Sequence, residues 1–266
     1  MRRWGIVAVV LAALVAAVAA PAAGPVTLKI IFPEGFTVSR MAGQVSAVRE
    51  LAIHNRHVTP VLTGTAYLAT AKTASPPPAF RADDRRHSIE GFLFPAGYLF
   101  QPSWHARDLI ALQIRTFQAN WAKLDLAYAT SKNLTPYDVL TIASMVERET
   151  KAPEERKLVA AVIYNRLAKG MPLAIDATLR YGLGIQGTRP LTEADLQNQT
   201  PYNTSIHKGL PPTPIGNPGL PSLEAAAHPA KVDYLWYVRK PDRVHHFFTA
   251  SEQEFCEKAL EYGYHC

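Results

Sequence analysis

Two carboxylates separated by a single residue, Glu147 and Glu149, end a predicted helix that begins at Thr135. At 100° per residue, one apolar stripe of this helix consists of Val139, Ile142, Ala143 and Val146. The glutamates lie on the two flanks of the stripe, whereas Arg148 points to the opposite side. Apolar neighbours and the negative end of the helix dipole both disfavour an ionised Glu149, so they raise its pKa. Glu149 is therefore a candidate general acid, with two solvated helix-surface glutamates as the alternative.

A carboxylic acid of this kind could act in the cleavage of a glycosidic bond. The usual mechanism needs two carboxylates at a defined separation across that bond. Glu147 and Glu149 point to opposite flanks of one helix, so a second carboxylate would have to come from elsewhere. Glu90 and Asp176 are the candidates for that role. A mechanism with a single glutamate requires the substrate to supply its own nucleophile.

Other combinations of reactive residues are weaker. His245 and His246 are adjacent on a predicted strand and therefore point to opposite faces. Because no Cys pair or His-x-x-x-His motif supports them, a metal site with His207 and His228 is disfavoured. Ser144 lies in mid-helix without the glycines of a nucleophile elbow. The sequence predicts neither a metal nor a cofactor.

The elements that must position these residues are short strands and separate helices. Strands are predicted at residues 26–32, 234–238 and 245–249, and helices at 37–51, 104–131, 135–150, 153–170 and 251–262. Residues 90–100 are extended, although Pro95 and Gly97 limit a regular strand there. Residues 70–86 and 201–229 are rich in Pro or Gly and are predicted to be irregular. Few strands and separate helices predict an α+β fold of helices packed with short strands.

Residues 1–24 form a predicted export segment. Arg2 and Arg3 precede an uncharged run at residues 4–20, whose length suits a membrane anchor or a long signal-peptide core. Basic residues on the short N-terminal side predict a cytoplasmic N-terminus. We therefore expect a single-pass protein of the inner (plasma) membrane with an exported body at residues 25–266. A signal peptide cleaved after Ala17-Val18-Ala19 is the alternative.

Composition excludes several classes of protein. With 48% apolar and 19% charged residues, the 266-residue chain is a folded protein and not a low-complexity one. Its net charge of +6 is mild and no Lys/Arg block with interleaved aromatics occurs, so we exclude nucleic acid as a partner. Cys256 and Cys266 are too few for a disulfide framework, and either a single bridge or two free thiols is compatible with the sequence.

A series of short motifs runs through the chain in a fixed order. They are Ile89-Glu90-Gly91-Phe92-Leu93-Phe94-Pro95, Ala143-Ser144-Met145-Val146-Glu147-Arg148-Glu149-Thr150, Tyr164-Asn165-Arg166-Leu167, Gly170-Met171-Pro172-Leu173, Asp176-Ala177-Thr178, Tyr202-Asn203-Thr204, Gly209-Leu210-Pro211-Pro212 and Asn217-Pro218-Gly219. In these motifs the sequence resembles the endolytic murein transglycosylases, the YceG-like family, over about residues 27–262. The resemblance implies one YceG-like catalytic domain at residues 25–266.

The resemblance also implies an activity and its partners. Members of this family are lytic transglycosylases that cleave peptidoglycan glycan strands between N-acetylmuramic acid and N-acetylglucosamine. The cleavage leaves a 1,6-anhydro end and limits the length of nascent strands. The catalytic acid of the family is the second glutamate of a Glu-x-Glu-Thr motif, which here is Glu149, in agreement with its apolar flank. Expected partners are the glycan strands, a membrane through the N-terminal segment, and peptidoglycan synthases.

Five further residues are candidates for binding the sugars and peptide stems: Glu90, Asn165, Asp176, Tyr202 and Asn203. For each of them a purely structural role is the alternative.

Some features depart from the family pattern and leave two other functions open. Members usually carry a LysM-like domain after the anchor, and we expect that domain to be missing here. Ala96-Gly97 and Thr213 also replace common family residues, and Glu254 stands where a histidine is frequent. A non-catalytic glycan-binding or scaffold protein is therefore one alternative. A hydrolytic muramidase with Glu149 as the acid and Asp176 as its partner is another.

Overall fold

The computed structural model describes residues 26–80, 88–185 and 189–266. Within these ranges the strands are β1 (Leu28–Ile31), β2 (Gly97–Phe100), β3 (Trp236–Arg239) and β4 (His246–Thr249). The helices are α1 (Val38–Arg56), α2 (Gly64–Thr73), α3 (Ala106–Trp121), α4 (Ala127–Ser131), α5 (Pro136–Glu149), α6 (Arg156–Ala168), α7 (Asp176–Gly182), α8 (Glu193–Leu196), α9 (Leu220–Ala227) and α10 (Glu252–Glu261). Short 3₁₀ helices cover Pro78–Phe80 and Pro153–Glu155. Helices packed with two small sheets confirm the predicted α+β class.

Helix α5 lies at the centre of the structure. Thr135 caps it: the Thr135 hydroxyl accepts from the Asp138 amide at 3.2 Å, and the Asp138 carboxylate accepts from the Thr135 amide at 2.8 Å. Pro136 occupies the first turn, where its missing N–H is not needed. Every residue from position 139 to position 146 is buried, because α6 and α9 pack against α5. This capped start confirms the predicted beginning of the helix, and Glu149 is its last residue.

The first sheet pairs strands that are far apart in the chain. β1 and β2 are antiparallel, with Leu28 opposite Phe100 and Ile31 opposite Gly97. Alternate residues of both strands are buried, so one face of the sheet covers the core. The strand predicted at residues 26–32 is confirmed. In the segment of residues 90–100, regular pairing is confined to β2, which begins at Gly97, after Pro95.

The second sheet carries the C-terminal part of the chain. β3 and β4 are antiparallel, with Tyr237 opposite Phe248, and they match the two strands predicted at residues 234–238 and 245–249. Helix α10 follows, and its predicted Ser251 cap accepts from the Glu254 amide at 3.3 Å. A disulfide joins Cys256 to Cys266, which decides between the two alternatives left open by the sequence.

The structure differs from the predicted elements in five of its helical regions. The helix predicted at residues 104–131 is divided into α3 and α4 by a turn, in which the Asp125 carboxylate accepts from the Ala127 amide at 2.9 Å. The sequence analysis does not predict helices α2, α7, α8 and α9. For α9, proline in the first turn starts a helix inside a segment whose other prolines and glycines indicate irregular structure.

Asn217 connects three separate segments of the core. Its side-chain oxygen accepts from the amides of Gly91 and Leu93 at 3.0 and 2.9 Å. Its Nδ2 donates to the Phe36 carbonyl and to Glu90 Oε1, both at 2.8 Å. Asn217 is fully buried, so these bonds satisfy polar groups that water does not reach.

The predicted single-pass membrane localisation is contradicted. Across residues 26–80, 88–185 and 189–266, no helix combines the length and the apolar character needed to cross a membrane. The predicted anchor or signal segment, residues 1–24, lies outside the described residues.

Candidate active site

A cleft of about 550 Å³ lies beside the C-terminal end of α5. Its walls come from α5, α6, α7, both strands of the second sheet, α10 and the residues after α10. Its volume lies within the usual range for ligand sites. Two carboxylates and four guanidinium groups line it, from Glu149, Asp176, Arg148, Arg166, Arg180 and Arg239. The cleft is therefore suited to a polar ligand.

Glu149 has the environment of a general acid. Its side chain is partly buried in the cleft wall, and this loss of solvent raises the pKa of the carboxyl. The nearby charge of Asp176 raises this pKa further, whereas a hydrogen bond from Tyr237 and the charge of Arg239 lower it. The net effect is upward, as the sequence pattern predicts. A carboxyl with a raised pKa keeps its proton at higher pH and can donate it to a leaving group.

Tyr237 holds the Glu149 carboxylate in position. Its hydroxyl lies 3.1 Å from Glu149 Oε2. Burial raises the pKa of Tyr237 well above its ordinary value, so the phenol stays protonated and donates this bond to the carboxylate. The phenol ring meets the His246 ring edge-on, with 5.4 Å between ring centres. His246 is in turn held by Glu155, whose Oε2 lies 2.7 Å from its Nδ1.

Glu147 has a different role from Glu149. Its Oε2 accepts from the Gly219 amide at 3.0 Å, at the N-terminal end of α9. Arg156 lies 3.9 Å from its other oxygen, and the Glu147 side chain is only 7% exposed. Glu147 therefore joins α5 to α9. Of the two glutamates in the motif, only Glu149 lines the cleft.

Asp176 is the predicted substrate-binding residue that the structure brings to Glu149. It is exposed, it is the first residue of α7, and it lines the same cleft. Its negative charge adds to the upward effect of burial on the Glu149 pKa. Asp176 is therefore placed where it could contact a substrate or act as a second carboxylate.

Glu90 lies outside this cleft. It is buried, and its carboxylate accepts from the Val38 amide at 3.1 Å, from Asn217 Nδ2 at 2.8 Å and from the Tyr181 hydroxyl at 3.2 Å. Burial raises its pKa to about 7. Glu90 lines a second cavity of about 470 Å³, together with Tyr181 and Thr213. Through Tyr181 it fixes α7, which carries Asp176.

The three remaining predicted binding residues are bonded within the protein. Asn165 Nδ2 donates to the carbonyls of residues 232 and 234, each at 2.9 Å, and so holds the approach to β3. Asn203 is buried, and its Nδ2 donates to the carbonyls of residues 196 and 198 at 2.8 and 2.9 Å. The hydroxyl of Tyr202 lies 2.9 Å from Thr213 Oγ1. None of the three lines the cleft with Glu149.

The weaker candidate residues are also engaged. The Ser144 hydroxyl donates to the Thr141 carbonyl at 2.7 Å and accepts from the Ile215 amide at 3.0 Å. His245 contacts Asp242 at 2.9 Å. In the part of the chain that the structure describes, no group of three or more His, Cys, Asp or Glu side chains could hold a metal ion.

Sequence reasoning missed most of the cleft wall. Tyr237 and Arg239 are two positions apart on β3. Residues two apart on a strand point to the same face, so the predicted strand could have indicated that they lie together. Arg180 lies one turn after Asp176 on α7, a helix that the sequence analysis does not predict. Arg148 was predicted to point away from the apolar stripe of α5, and it faces the cleft because α7 packs against that side of the helix end.

Comparison with known proteins identifies close similarities. The model of the YceG-like family matches residues 8–261. The endolytic murein transglycosylase of Bacillus subtilis (strain 168) is 41% identical over 157 residues, which are 58% of this chain and 43% of that protein. The one from Streptococcus pneumoniae (strain ATCC BAA-255 / R6) is 33% identical over 233 residues, 80% of this chain and 41% of that protein. The chain therefore spans less than half the length of these curated relatives.

A solved structure is similar as well. A crystal structure of a yceG-like protein from Listeria monocytogenes superposes with a TM-score of 0.68 at 29% identity, and the match covers 88% of this chain and 76% of that one. The family match, the sequence relatives and this structure agree with the family resemblance predicted from the sequence. The chain belongs to the YceG-like family.

Proposed function

We propose that this protein is an endolytic murein transglycosylase, a lyase that cleaves peptidoglycan glycan strands between N-acetylmuramic acid and N-acetylglucosamine. The observation that carries the proposal is Glu149: one carboxyl with a raised pKa in the wall of a polar cleft, bonded by Tyr237. The curated relatives bear the name of this activity. By limiting the length of new strands, the enzyme would act alongside peptidoglycan synthases.

In the proposed reaction, Glu149 donates its proton to the oxygen of the scissile glycosidic bond. The bond from the anomeric carbon to that oxygen breaks, and the leaving sugar departs with a new hydroxyl. The 6-hydroxyl of the same muramic acid attacks the anomeric carbon and gives its proton to the Glu149 carboxylate. The product is a 1,6-anhydro end, and water does not enter. Because the nucleophile belongs to the substrate, proximity replaces a second enzymatic carboxylate.

Neighbouring residues have supporting roles in this proposal. Tyr237 fixes the Glu149 carboxylate and stabilises it after the proton has left. Asp176 contacts the bound strand from the N-terminal end of α7. Sugar or stem contacts by Glu90, Asn165, Tyr202 and Asn203 stay predictions, and the hydrogen bonds of these residues support roles in shaping the walls around the strand.

The experiment that tests the proposal uses purified protein and uncrosslinked glycan strands. Mass spectrometry of the products is expected to find 1,6-anhydro-muramic ends. Glu149→Gln is expected to fold normally and to lose about 10²- to 10⁴-fold of the turnover, since general acid catalysis contributes that much. Glu154→Gln is the matched control, because the side chain of Glu154 is 66% exposed and does not line the cleft. Unchanged cleavage by Glu149→Gln would reject the assignment.

A hydrolytic muramidase is the second candidate, because Asp176 and Glu149 line the same cleft. Hydrolysis leaves reducing ends instead of anhydro ends, so the same assay separates the two reactions. Strands that bind to the protein and remain intact would instead indicate a non-catalytic glycan-binding protein.

A further inference from the structure

Three arginines at the cleft form no ion pair with another residue that the structure describes. Arg148, Arg180 and Arg239 all line it, and in the described parts of the chain none of them forms an ion pair within 4.0 Å. Arg148 Nε and Arg180 Nη1 are also buried without a hydrogen-bond partner among the described residues. A buried donor without a partner destabilises a fold, so such groups in a native protein call for an explanation. One explanation is a ligand that supplies the missing hydrogen-bond acceptors.

The fourth arginine of the cleft provides an internal contrast. Arg166 Nε donates to the Leu235 carbonyl at 2.6 Å, and its Nη1 donates to the carbonyls of Pro172 and Leu173 at 3.1 and 2.9 Å. Arg166 therefore binds backbone and builds the wall. The fold can satisfy a guanidinium at this site, but it leaves those of Arg148 and Arg180 incompletely bonded.

Both positive and negative neighbours act on the charge of Arg148. Burial lowers the pKa of Arg148, and the positive charges of Arg40 and Arg180 lower it further. Glu149 and Glu90 act in the opposite direction, but the pKa of each is itself raised, to about 7 for Glu90. Glu90, with a pKa of about 7, therefore carries less negative charge near neutral pH than an exposed glutamate does. Asp176 is the remaining carboxylate of the cleft.

We propose that Arg148, Arg180 and Arg239 form a subsite beside Glu149 that binds a carboxylate of the glycan strand. This inference rests on the proposed function. The planar guanidinium groups fit a carboxylate because they can donate two parallel hydrogen bonds to it. Muramic acid carries a lactyl group on the ring whose anomeric carbon reacts. A carboxylate reaches the subsite either from the peptide stem on that lactyl group or from the lactyl group itself where the stem has been removed.

The subsite gives the cleft a basis for selectivity. A strand without carboxylates leaves the arginine donors unpaired, and sites built to bond a polar group reject ligands that lack it. Uncharged polymers of N-acetylglucosamine are therefore expected to bind weakly. Strands with carboxylates next to the scissile bond are expected to be the preferred substrates.

The test compares two pairs of strand preparations. The first pair carries peptide stems, with their carboxylates either free or amidated. The second pair has had the stems removed, and its lactyl carboxylates are either free or amidated. Binding of each preparation is measured by calorimetry with the Glu149→Gln protein. KM and kcat for each preparation are measured with the wild-type protein. We expect at least one carboxylate form to bind about 10- to 100-fold more tightly than its amidated form, and the form that does so identifies the source. Arg148→Gln and Arg180→Gln are expected to abolish this difference, chiefly through KM.

Two controls separate binding from folding. Because Arg148 and Arg180 have unpaired buried donors, their Gln variants are expected to keep or raise the melting temperature, whereas Arg166→Gln lowers it. Arg107→Gln, at a side chain that is 78% exposed and away from the cleft, is expected to leave the selectivity unchanged. A wild type that cleaves strands but does not distinguish acid from amidated forms would overturn the subsite alone. A wild type that yields no anhydro ends would overturn the proposed function.

Discussion

The hydrogen bond from Tyr237 to Glu149 should have a measurable effect on the acidity of Glu149. The two oxygens are 3.1 Å apart, and this bond lowers the Glu149 pKa against the upward effect of burial. A hydrogen bond to a charged group is worth about 1.5–3 kcal/mol. At about 1.4 kcal/mol per pH unit, Tyr237→Phe should therefore raise the pKa of Glu149 by about 1–2 pH units. Asp176→Asn should have the opposite effect, because it removes a negative charge that raises this pKa.

Two measurements report this change. The first is an NMR titration of protein with ¹³C-labelled glutamate side chains, in which Glu149→Gln identifies the Glu149 signal. The second is the pH profile of strand cleavage. A general acid acts in its protonated form, so activity falls as the pH rises through its pKa. This alkaline limb should move to higher pH in Tyr237→Phe and to lower pH in Asp176→Asn.

Tyr98→Phe is the matched control. The Tyr98 hydroxyl is also buried and bonded, to the Phe94 carbonyl at 2.7 Å, but it lies outside the cleft. Its loss should lower the stability by about 1 kcal/mol and leave the titration of Glu149 unchanged. If the Glu149 pKa falls or stays constant in Tyr237→Phe, the role given to Tyr237 is wrong.

Two further predictions concern stability. Glu90 has a folded-state pKa of about 7, above its ordinary value of 4.5, so it stabilises the fold fully below about pH 4.5 and loses that contribution as the pH rises through 7. This contribution to the free energy of unfolding is about 3 kcal/mol, and Glu90→Gln should remove its pH dependence. Urea unfolding of both proteins at pH 5 and pH 8 measures the effect, and the same pH dependence in both would contradict the prediction. Cys256→Ser removes a bridge between residues 10 apart and should lower the free energy of unfolding by about 3 kcal/mol. Adding a reductant to the wild type should reproduce that loss, and equal stability with and without the bridge would contradict it.

The best predicted parts of the fold are those determined by neighbouring residues. The start of α5 follows from Thr135, Pro136 and Asp138, which lie within four positions. Thr135 and Asp138 bond to each other, and Pro136 occupies the first turn. The cap of α10 by Ser251 is equally local. Such signals can be read from sequence because the groups that satisfy the first amides of a helix lie within the same turn.

The parts that escaped prediction depend on distant residues. Helix α9 begins directly after Gly219, whose amide donates a hydrogen bond to Glu147, 72 positions earlier in the chain. The extended segment before β2 is held by Asn217, which lies more than 120 positions later. A pattern in one window cannot show which remote side chain will supply such a partner, so Pro- and Gly-rich stretches look irregular.

In the candidate site too, features set by neighbouring residues could be predicted and features set by distant residues could not. Glu149 became a candidate acid from its own helix and was singled out by the family motif, and the predicted upward direction of its pKa agrees with the structure. Apolar residues that line the cleft with it come from other elements, including Ala177 on α7 and Val238 on β3. The binding candidates taken from motifs were less informative, because a motif does not distinguish a residue that faces ligand from one such as Asn203 that bonds the backbone.

The position of Asn217 late in the chain has a consequence for biosynthesis. It bonds to Phe36, 181 positions earlier, and to Glu90, 127 positions earlier. Until residue 217 has left the ribosome, the carbonyl and carboxylate that it satisfies must remain hydrated. The native hydrogen bonding around Phe36 and Glu90 is therefore completed only after residue 217 has been synthesised. Contacts of such long sequence separation also slow folding, so the nascent N-terminal half passes through a period in which its apolar surface is open to chaperones.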